Sequence, residues 1–228
     1  MPDHTSIYRQ EAEKYHLLIS RQPNLALYIE EIRPFAGLDI VDLGAGTGRL
    51  ATVLAPQAKS LVALDASQPM LDVTAARLKQ AGLANWSTQQ ADHRHIPLPE
   101  QSADLLVAGW TICYLASSND PRWKQNLADV IAEMKRIIRP GGTIIIFETM
   151  GTGTETPNPP DFLRDYYREL AETYGFAHTW IRTDYEFDSV EQAVELTRFF
   201  FGEQLADRVF AQQSRRVAEC AGIWWLHV

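Results

Sequence analysis

The stretch Val41-Asp42-Leu43-Gly44-Ala45-Gly46-Thr47-Gly48-Arg49-Leu50 decides the fold. An apolar run, Leu38 to Leu43, stops at three glycines on alternate positions, and helix-forming residues follow at once. This reads as a buried strand, a turn free of side chains and a helix start. Glycine at such a turn permits positive φ and lets a ligand come close to the main chain. The helix start adds unpaired N–H groups and the positive end of a dipole, so an anionic or hydrogen-bond-accepting group belongs beside it.

The spacing selects the ligand. In a dinucleotide fingerprint the glycines read Gly-x-Gly-x-x-Gly, and the third opens the first helical turn to a pyrophosphate. Here they read Gly-x-Gly-x-Gly, and Asp42 stands two positions before the first. A carboxylate repels a pyrophosphate but suits a ligand bearing an ammonium and a sulfonium. The next apolar run, Leu61-Val62-Ala63-Leu64, ends in Asp65. An acid at the tip of the second strand, about 20 residues on, is where a ribose diol is gripped. An NAD-dependent oxidoreductase shares this order of strand, glycines and acid, but needs the other spacing and has no use for Asp42.

With these residues the chain resembles the class I S-adenosylmethionine-dependent methyltransferases, and among them the small-molecule enzymes of the ubiquinone/menaquinone-biosynthesis type. Four stretches match in order: Asp42 to Gly48, Leu64-Asp65-Ala66-Ser67 with Met70, Ala91-Asp92-His93 followed by Ile96-Pro97-Leu98-Pro99, and Ile138-Arg139-Pro140-Gly141-Gly142. The resemblance implies S-adenosyl-L-methionine as cofactor. It implies that Asp42 fixes the methionine ammonium and that Asp65 accepts from both ribose hydroxyls. Ala66 and Met70 would pack on the adenine, Asp92 would accept from its amino group, and the backbone N–H of His93 would donate to its ring. Gly44, Ala45, Gly46, Gly48 and Gly109 would form the close backbone, and Tyr15, seven positions after Tyr8, would close over the cofactor. Competing roles stand beside these: capping or pairing for Asp42, solvation for Asp65 and Asp92, core packing for Tyr8 and Tyr15.

The resemblance also implies an α/β fold, a three-layer Rossmann-like methyltransferase fold with a mostly parallel seven-stranded sheet. Its order would be 3-2-1-4-5-7-6, with strand 7 antiparallel and helices at the N-terminus. The pattern along the chain predicts two helices in the first 33 residues, with Tyr8, Ala12, Tyr15 and Ile19 on one face and Pro23 separating them. Strands are predicted at Asp39–Leu43, Ser60–Asp65, Trp86–Gln90, Asp104–Gly109 and Thr143–Thr149, most of them continuous apolar runs suited to parallel strands. Helices are predicted at Gly48–Ala55, Pro69–Ala81 and Trp123–Ile138, the last stopped by Arg139-Pro140-Gly141-Gly142. Residues 151–160, rich in proline and glycine, read as a loop. Then come helix Asp161–Tyr174, extended Ala177–Phe187, a helical stretch from Ser189 to about Glu219, and a strand Gly222–Val228. One domain is expected over 1–228: a helical cover at 1–36, a cofactor-binding core at 37–150, and strands 6 and 7 with a helical substrate cover at 151–228.

Length, 228 residues, suits one α/β domain with a sizeable core. A net charge of −8 and the lack of a basic block exclude a phosphate-rich partner such as nucleic acid. Two cysteines, Cys113 and Cys220, make neither a disulfide framework nor a zinc spacing. No leader-like start and no long apolar run appear, so the chain reads as cytoplasmic, with no membrane partner, and as a monomer or homodimer.

Methyl transfer from a sulfonium is an in-line displacement in which the leaving group is already activated by its charge. The protein must hold donor and acceptor at about 3–3.5 Å and exclude water. A phenol, alcohol or protonated amine as acceptor also needs a base. His93 and Tyr114 are the catalytic candidates, with Glu148 and His178 beside them. His93 and His95 lack a third ligand for a metal and read as partly exposed turn residues. Trp110 and Tyr114, at the exit of strand 4, are candidate substrate walls or core aromatics, and Cys113 is a contact or a buried thiol. The acceptor is expected to be small and partly apolar or aromatic, held between the N-terminal helices and the region after residue 150. A catalytically silent S-adenosylmethionine-binding module is the alternative.

Overall fold

In the computed structural model, which describes residues 2–228, one sheet runs β3-β2-β1-β4-β5-β9-β6. Its strands are β1 (Asp39–Leu43), β2 (Ser60–Asp65), β3 (Trp86–Gln90), β4 (Ala103–Gly109), β5 (Ile138–Thr152), β6 (Ala177–Arg182) and β9 (Glu219–His227). The first five pair in parallel and β9 runs antiparallel to both β5 and β6. This is the expected order, with β9 as the seventh strand. A second, two-stranded sheet of β7 (Tyr185–Glu186) and β8 (Arg216–Val217) was not expected.

Side-chain alternation along the strands builds a core on each face. Val41, Leu43, Leu106 and Ile144 join one cluster, covered by helices α7 (Trp123–Ile137) and α8 (Asp161–Glu172). Ile40, Leu105, Val107, Ile145 and Phe147 join the other, covered by α3 (Ala26–Ile32), α4 (Ala51–Leu54) and α5 (Gln68–Gln80). At the amino ends of the strands, Arg139 clamps β1 to β4, donating to Asp39 at 3.0 Å and Asp104 at 2.7 Å. Helices α9 (Val190–Phe201) and α10 (Glu203–Gln212) lie between β6 and β9 in sequence and carry a core of their own. No helix among the described residues is long and apolar enough to cross a membrane.

Several boundaries depart from the sequence reading. The N-terminus holds three helices: α1 (His4–Gln10), α2 (Ala12–Ile19) and α3, because Glu11 at φ −128° breaks the first expected helix in two. Asp3 caps α1 by accepting from the Thr5 and Ser6 N–H groups. The helix expected at Gly48–Ala55 is regular only from Ala51 to Leu54, since the glycine turn extends further than anticipated. A short helix, α6 (Cys113–Ala116), follows β4. The Arg139-Pro140-Gly141-Gly142 segment ends α7, yet it is already extended and part of β5. The stretch from Ser189 to Glu219 is not one helix. Gly202, at φ +91°, divides it, and Gln213, left-handed at φ +50°, stops α10 ahead of β8.

Candidate functional site

The strand order reverses between β1 and β4, and the carboxyl ends of β1, β2 and β4 open there into a crevice, the place where open α/β sheets take ligands. Gly44, Gly46 and Gly48 have φ of +73°, +55° and +81°, so the turn requires the left-handed region at all three. A Cβ on Gly44 would overlap the Thr111 side chain, and one on Gly48 would sit 3.0 Å from Thr74 Oγ1. A Cβ on Gly46 would meet nothing within 4 Å, because that face is open to the crevice. The turn is pinned from behind: Thr74 donates to the Gly46 carbonyl at 2.8 Å and Arg77 to that of Thr47 at 2.6 Å.

A cavity of about 320 Å³ lies over this turn. It brings together Tyr15, Gly44, Gly46, Asp65, Ala66, Met70, Asp92, His93, Gly109, Trp110 and Tyr114. Asp42, Ala45 and Gly48, expected beside them, stay behind the turn and do not line it. Asp42 is 1% exposed, and neither of its carboxylate oxygens has a hydrogen-bond partner. Burial pushes its pKa up to about 7. Asp65 holds the turn as well as facing the cavity, accepting from Gly46 N and Ser67 N at 2.8 Å each. Burial raises its pKa.

Asp92 is engaged by its neighbour: Arg94 donates to both of its oxygens, at 2.9 and 2.6 Å. That pairing holds the Asp92 pKa down to about 2. His93 is buried, not partly exposed as expected, and its Nε2 lies 2.7 Å from Thr111 Oγ1. Burial lowers its pKa to about 4, leaving a neutral imidazole at pH 7. His95 is exposed, so the two histidines face different surroundings.

A second cavity, of about 1010 Å³, adjoins the first. His4, Tyr8, Tyr15, Trp110 and Tyr114 line both and form the seam between them. The seam is tied together across three elements. The Tyr8 and Tyr114 hydroxyls hydrogen-bond each other, Tyr114 reaches His4 Nδ1 at 3.2 Å, and the His4 ring stacks on Phe200 at 4.2 Å. Trp110 sits at φ +52°, a sparsely populated backbone state for a bulky residue. That conformation stacks its indole against Phe147 and beneath the Arg49 guanidinium, 3.9 Å from the ring centroid.

Of the other candidate bases, Glu148 and His178 line neither cavity. Glu148 is fully buried, accepting from Cys113 N at 2.9 Å and Tyr166 OH at 3.4 Å, and burial lifts its pKa to about 7. His178, on β6, stacks on Trp224 of the neighbouring strand β9. Tyr166 and Tyr167 are buried in the core, whereas Phe162, Phe200 and Phe201 line the larger cavity. Cys113 lines it too.

Five charged residues on that cavity were not anticipated: Arg49, Asp120, Asp161, Arg208 and Glu219. Glu219, 2% exposed, accepts from Thr149 Oγ1 at 2.9 Å through Oε1, while Oε2 has no partner. Burial raises its pKa to about 7. A charge directly before an apolar strand was the available signal for Glu219. For Arg49 it was a cation within the motif segment.

Comparison with known proteins follows this geometry. The methyltransferase domain family matches residues 41–146. A malonyl-[acyl-carrier protein] O-methyltransferase from Yersinia pestis is 34% identical over 118 residues, covering 52% of this chain and 39% of that one. An uncharacterized methyltransferase of Mycobacterium tuberculosis is 33% identical over 116 residues, covering 51% of this chain and 42% of that one. The chain thus spans less than half the length of these curated relatives. A SAM-dependent methyltransferase structure from Aquifex aeolicus superposes with a TM-score of 0.58 at 16% identity, covering 99% of this chain and 94% of that one. At that identity the likeness is one of fold.

Proposed function

We propose that the chain, whose residues 41–146 match the methyltransferase domain family, is a class I S-adenosylmethionine-dependent methyltransferase that transfers a methyl group from S-adenosyl-L-methionine to a small, partly apolar or aromatic acceptor. The observation that carries this reading is the pair of adjoining cavities, one over the glycine turn and one walled by aromatics, sharing a single seam. Their sizes suit small molecules and give no track for a polymer.

The residues present fit the cofactor. Gly46 leaves open space where a side chain would intrude, and the buried, unpartnered Asp42 carboxylate lies beneath it. In this reading Asp65 holds the ribose diol with lone pairs not used by Gly46 N and Ser67 N, and Met70 packs on the adenine. Asp92, although paired to Arg94, keeps acceptor capacity for the adenine amino group, and the His93 N–H donates to the ring. Asp42, sealed behind the turn and not lining the cavity, acts on the ammonium through space. When bound, the cofactor supplies an electrophilic methyl group whose bond to sulfur breaks, the electron pair returning to sulfur, as the acceptor's lone pair forms the new bond.

The chain's own contribution is orientation and exclusion of water at the seam by Tyr8, Tyr15, Trp110 and Tyr114. Among the expected bases, His93 and Tyr114 face the cofactor cavity, and burial strongly disfavours protonated His93. Glu219, facing the acceptor cavity with a free buried oxygen, is added to them as the group that takes a proton from a protic acceptor. The division into a cover at 1–36, a core at 37–150 and a substrate cover at 151–228 belongs to the same reading, as does action on a soluble cytoplasmic metabolite. Calorimetric titration tests it. S-Adenosylmethionine and S-adenosylhomocysteine are expected to bind and NAD is not; NAD binding without S-adenosylmethionine binding would overturn it.

A further inference from the structure

Arg49 is the first residue after the glycine turn and lines the larger cavity. One face of its guanidinium lies over Trp110, which attracts the cation but satisfies no N–H group. Its Nε and Nη2 are sealed from water and have no hydrogen-bond partner among the described residues. These two nitrogens form one edge of the planar fork, the edge that takes a carboxylate through two parallel hydrogen bonds. A buried donor left unpaired is costly, and a buried charge more so.

Within the structure nothing supplies that partner. Glu219 acts on Arg49 through space, but its own free oxygen, Oε2, is also unpartnered. Asp120, Asp161 and Glu219 line the same cavity, with Arg208 as a second cation. The free edge of Arg49 presents two parallel N–H groups, the match for the two oxygens of a carboxylate. We propose that Arg49 is a carboxylate-binding residue of the larger cavity, beside the Trp110 side of the seam, holding the carboxylate of a small-molecule acceptor. The proposal rests on the methyltransferase reading above.

The test compares wild type with Arg49→Met and Arg49→Lys in two arms. In the cofactor arm, calorimetry measures S-adenosylhomocysteine against 5′-methylthioadenosine, which lacks the amino-acid end. In the acceptor arm, protein saturated with S-adenosylhomocysteine is titrated with phenylacetate and hexanoate, each beside its primary amide. In the acceptor arm Arg49→Met weakens the acids by roughly 10–100-fold, as expected for a lost charge-assisted pair, and leaves their amides unchanged. Arg49→Lys recovers only part of that loss, being a point charge without the fork.

A loss confined to S-adenosylhomocysteine overturns the proposal by giving Arg49 to the cofactor. A loss confined to the acids assigns it to the acceptor. Equal affinities across the variants in both arms, or equal losses for acids and their counterparts, overturn the proposal. Arg49→Met removes a buried unpaired charge, so its melting temperature should not fall below wild type, and a lower one counts against the proposal. Wild type that binds neither adenosyl compound refutes the methyltransferase reading first, and the assignment of Arg49 with it.

Discussion

Asp65 carries two tasks at once. Its oxygens accept from Gly46 N and Ser67 N, and the same carboxylate faces the smaller cavity over the glycine turn. Asp65→Asn keeps one carbonyl acceptor and removes the charge. It should weaken S-adenosylhomocysteine by one to two orders of magnitude, because each charge-assisted hydrogen bond is worth roughly 1.5–3 kcal/mol. Calorimetry giving unchanged affinity in folded Asp65→Asn would show that the diol is held elsewhere. Glu148 supports a prediction of a different kind. Its pKa is raised by burial to about 7 in the folded chain, against roughly 4.3 unfolded. The folded state therefore binds more protons in that interval, and stability falls as pH rises from about 4.3 through 7. Glu148→Gln still accepts from Cys113 N and does not titrate, so it should gain stability relative to wild type over that window. Denaturant midpoints at pH 5 and 8 measure it, and a constant difference between the two proteins would count against it. Asp42 and Asp65 were legible as candidates in the sequence because one interrupts the apolar run before the glycines and the other ends the next run. Arg49 and Glu219 were not, because only the tertiary fold places them on one cavity.

The glycine turn behaves as one element, and its three glycines are predicted to fail differently. All three need positive φ, which costs a residue with a Cβ about 1–2 kcal/mol. At Gly44 the added methyl also overlaps Thr111, so Gly44→Ala should lose clearly more stability than that, with a lowered melting temperature in the absence of ligand. At Gly46 the methyl enters open space. Gly46→Ala should therefore stay folded near the 1–2 kcal/mol cost and lose its affinity for S-adenosylhomocysteine. If Gly46→Ala bound normally, the open face of the turn would not be the cofactor side. Strand elements were the most legible part of the chain: β1, β2 and β3 fall where their apolar runs or flanking turns place them. The misses share a cause. Glu11, Gly202 and Gln213 break helices through backbone conformation, and periodicity in side chains is blind to φ. The expected helix at Gly48 begins only at Ala51 because the turn takes more residues to bring its N–H groups round than the motif reveals.

At the scale of the whole molecule, the order of sheet strands places two cavities against one seam, and the chain outside the matched segment builds most of the second. Residues 41–146 supply the glycine turn, Asp65, Met70, Asp92 and His93. Phe162, Tyr185, Phe200, Phe201, Arg208 and Glu219, all beyond that segment, line the larger cavity and not the smaller. The family pattern thus made the smaller cavity readable, while the larger one depends on packing between distant segments. This separation predicts separable kinetics. Phe162→Ala, on the larger cavity alone, should raise the acceptor KM and leave S-adenosylhomocysteine affinity unchanged. Met70→Ala, on the cofactor cavity alone, should weaken the cofactor while leaving the acceptor KM near wild type at saturating cofactor. Tyr114 lines both, and its hydroxyl ties Tyr8 and His4 together. Tyr114→Phe should therefore lower kcat more than either binding constant, since it loosens the seam where the two ligands must meet within about 3–3.5 Å. Steady-state kinetics with radiolabelled methyl donor, run beside calorimetry, reads all three. If Phe162→Ala weakened the cofactor as much as Met70→Ala did, the two cavities would be one site and their division into donor and acceptor sides would fall.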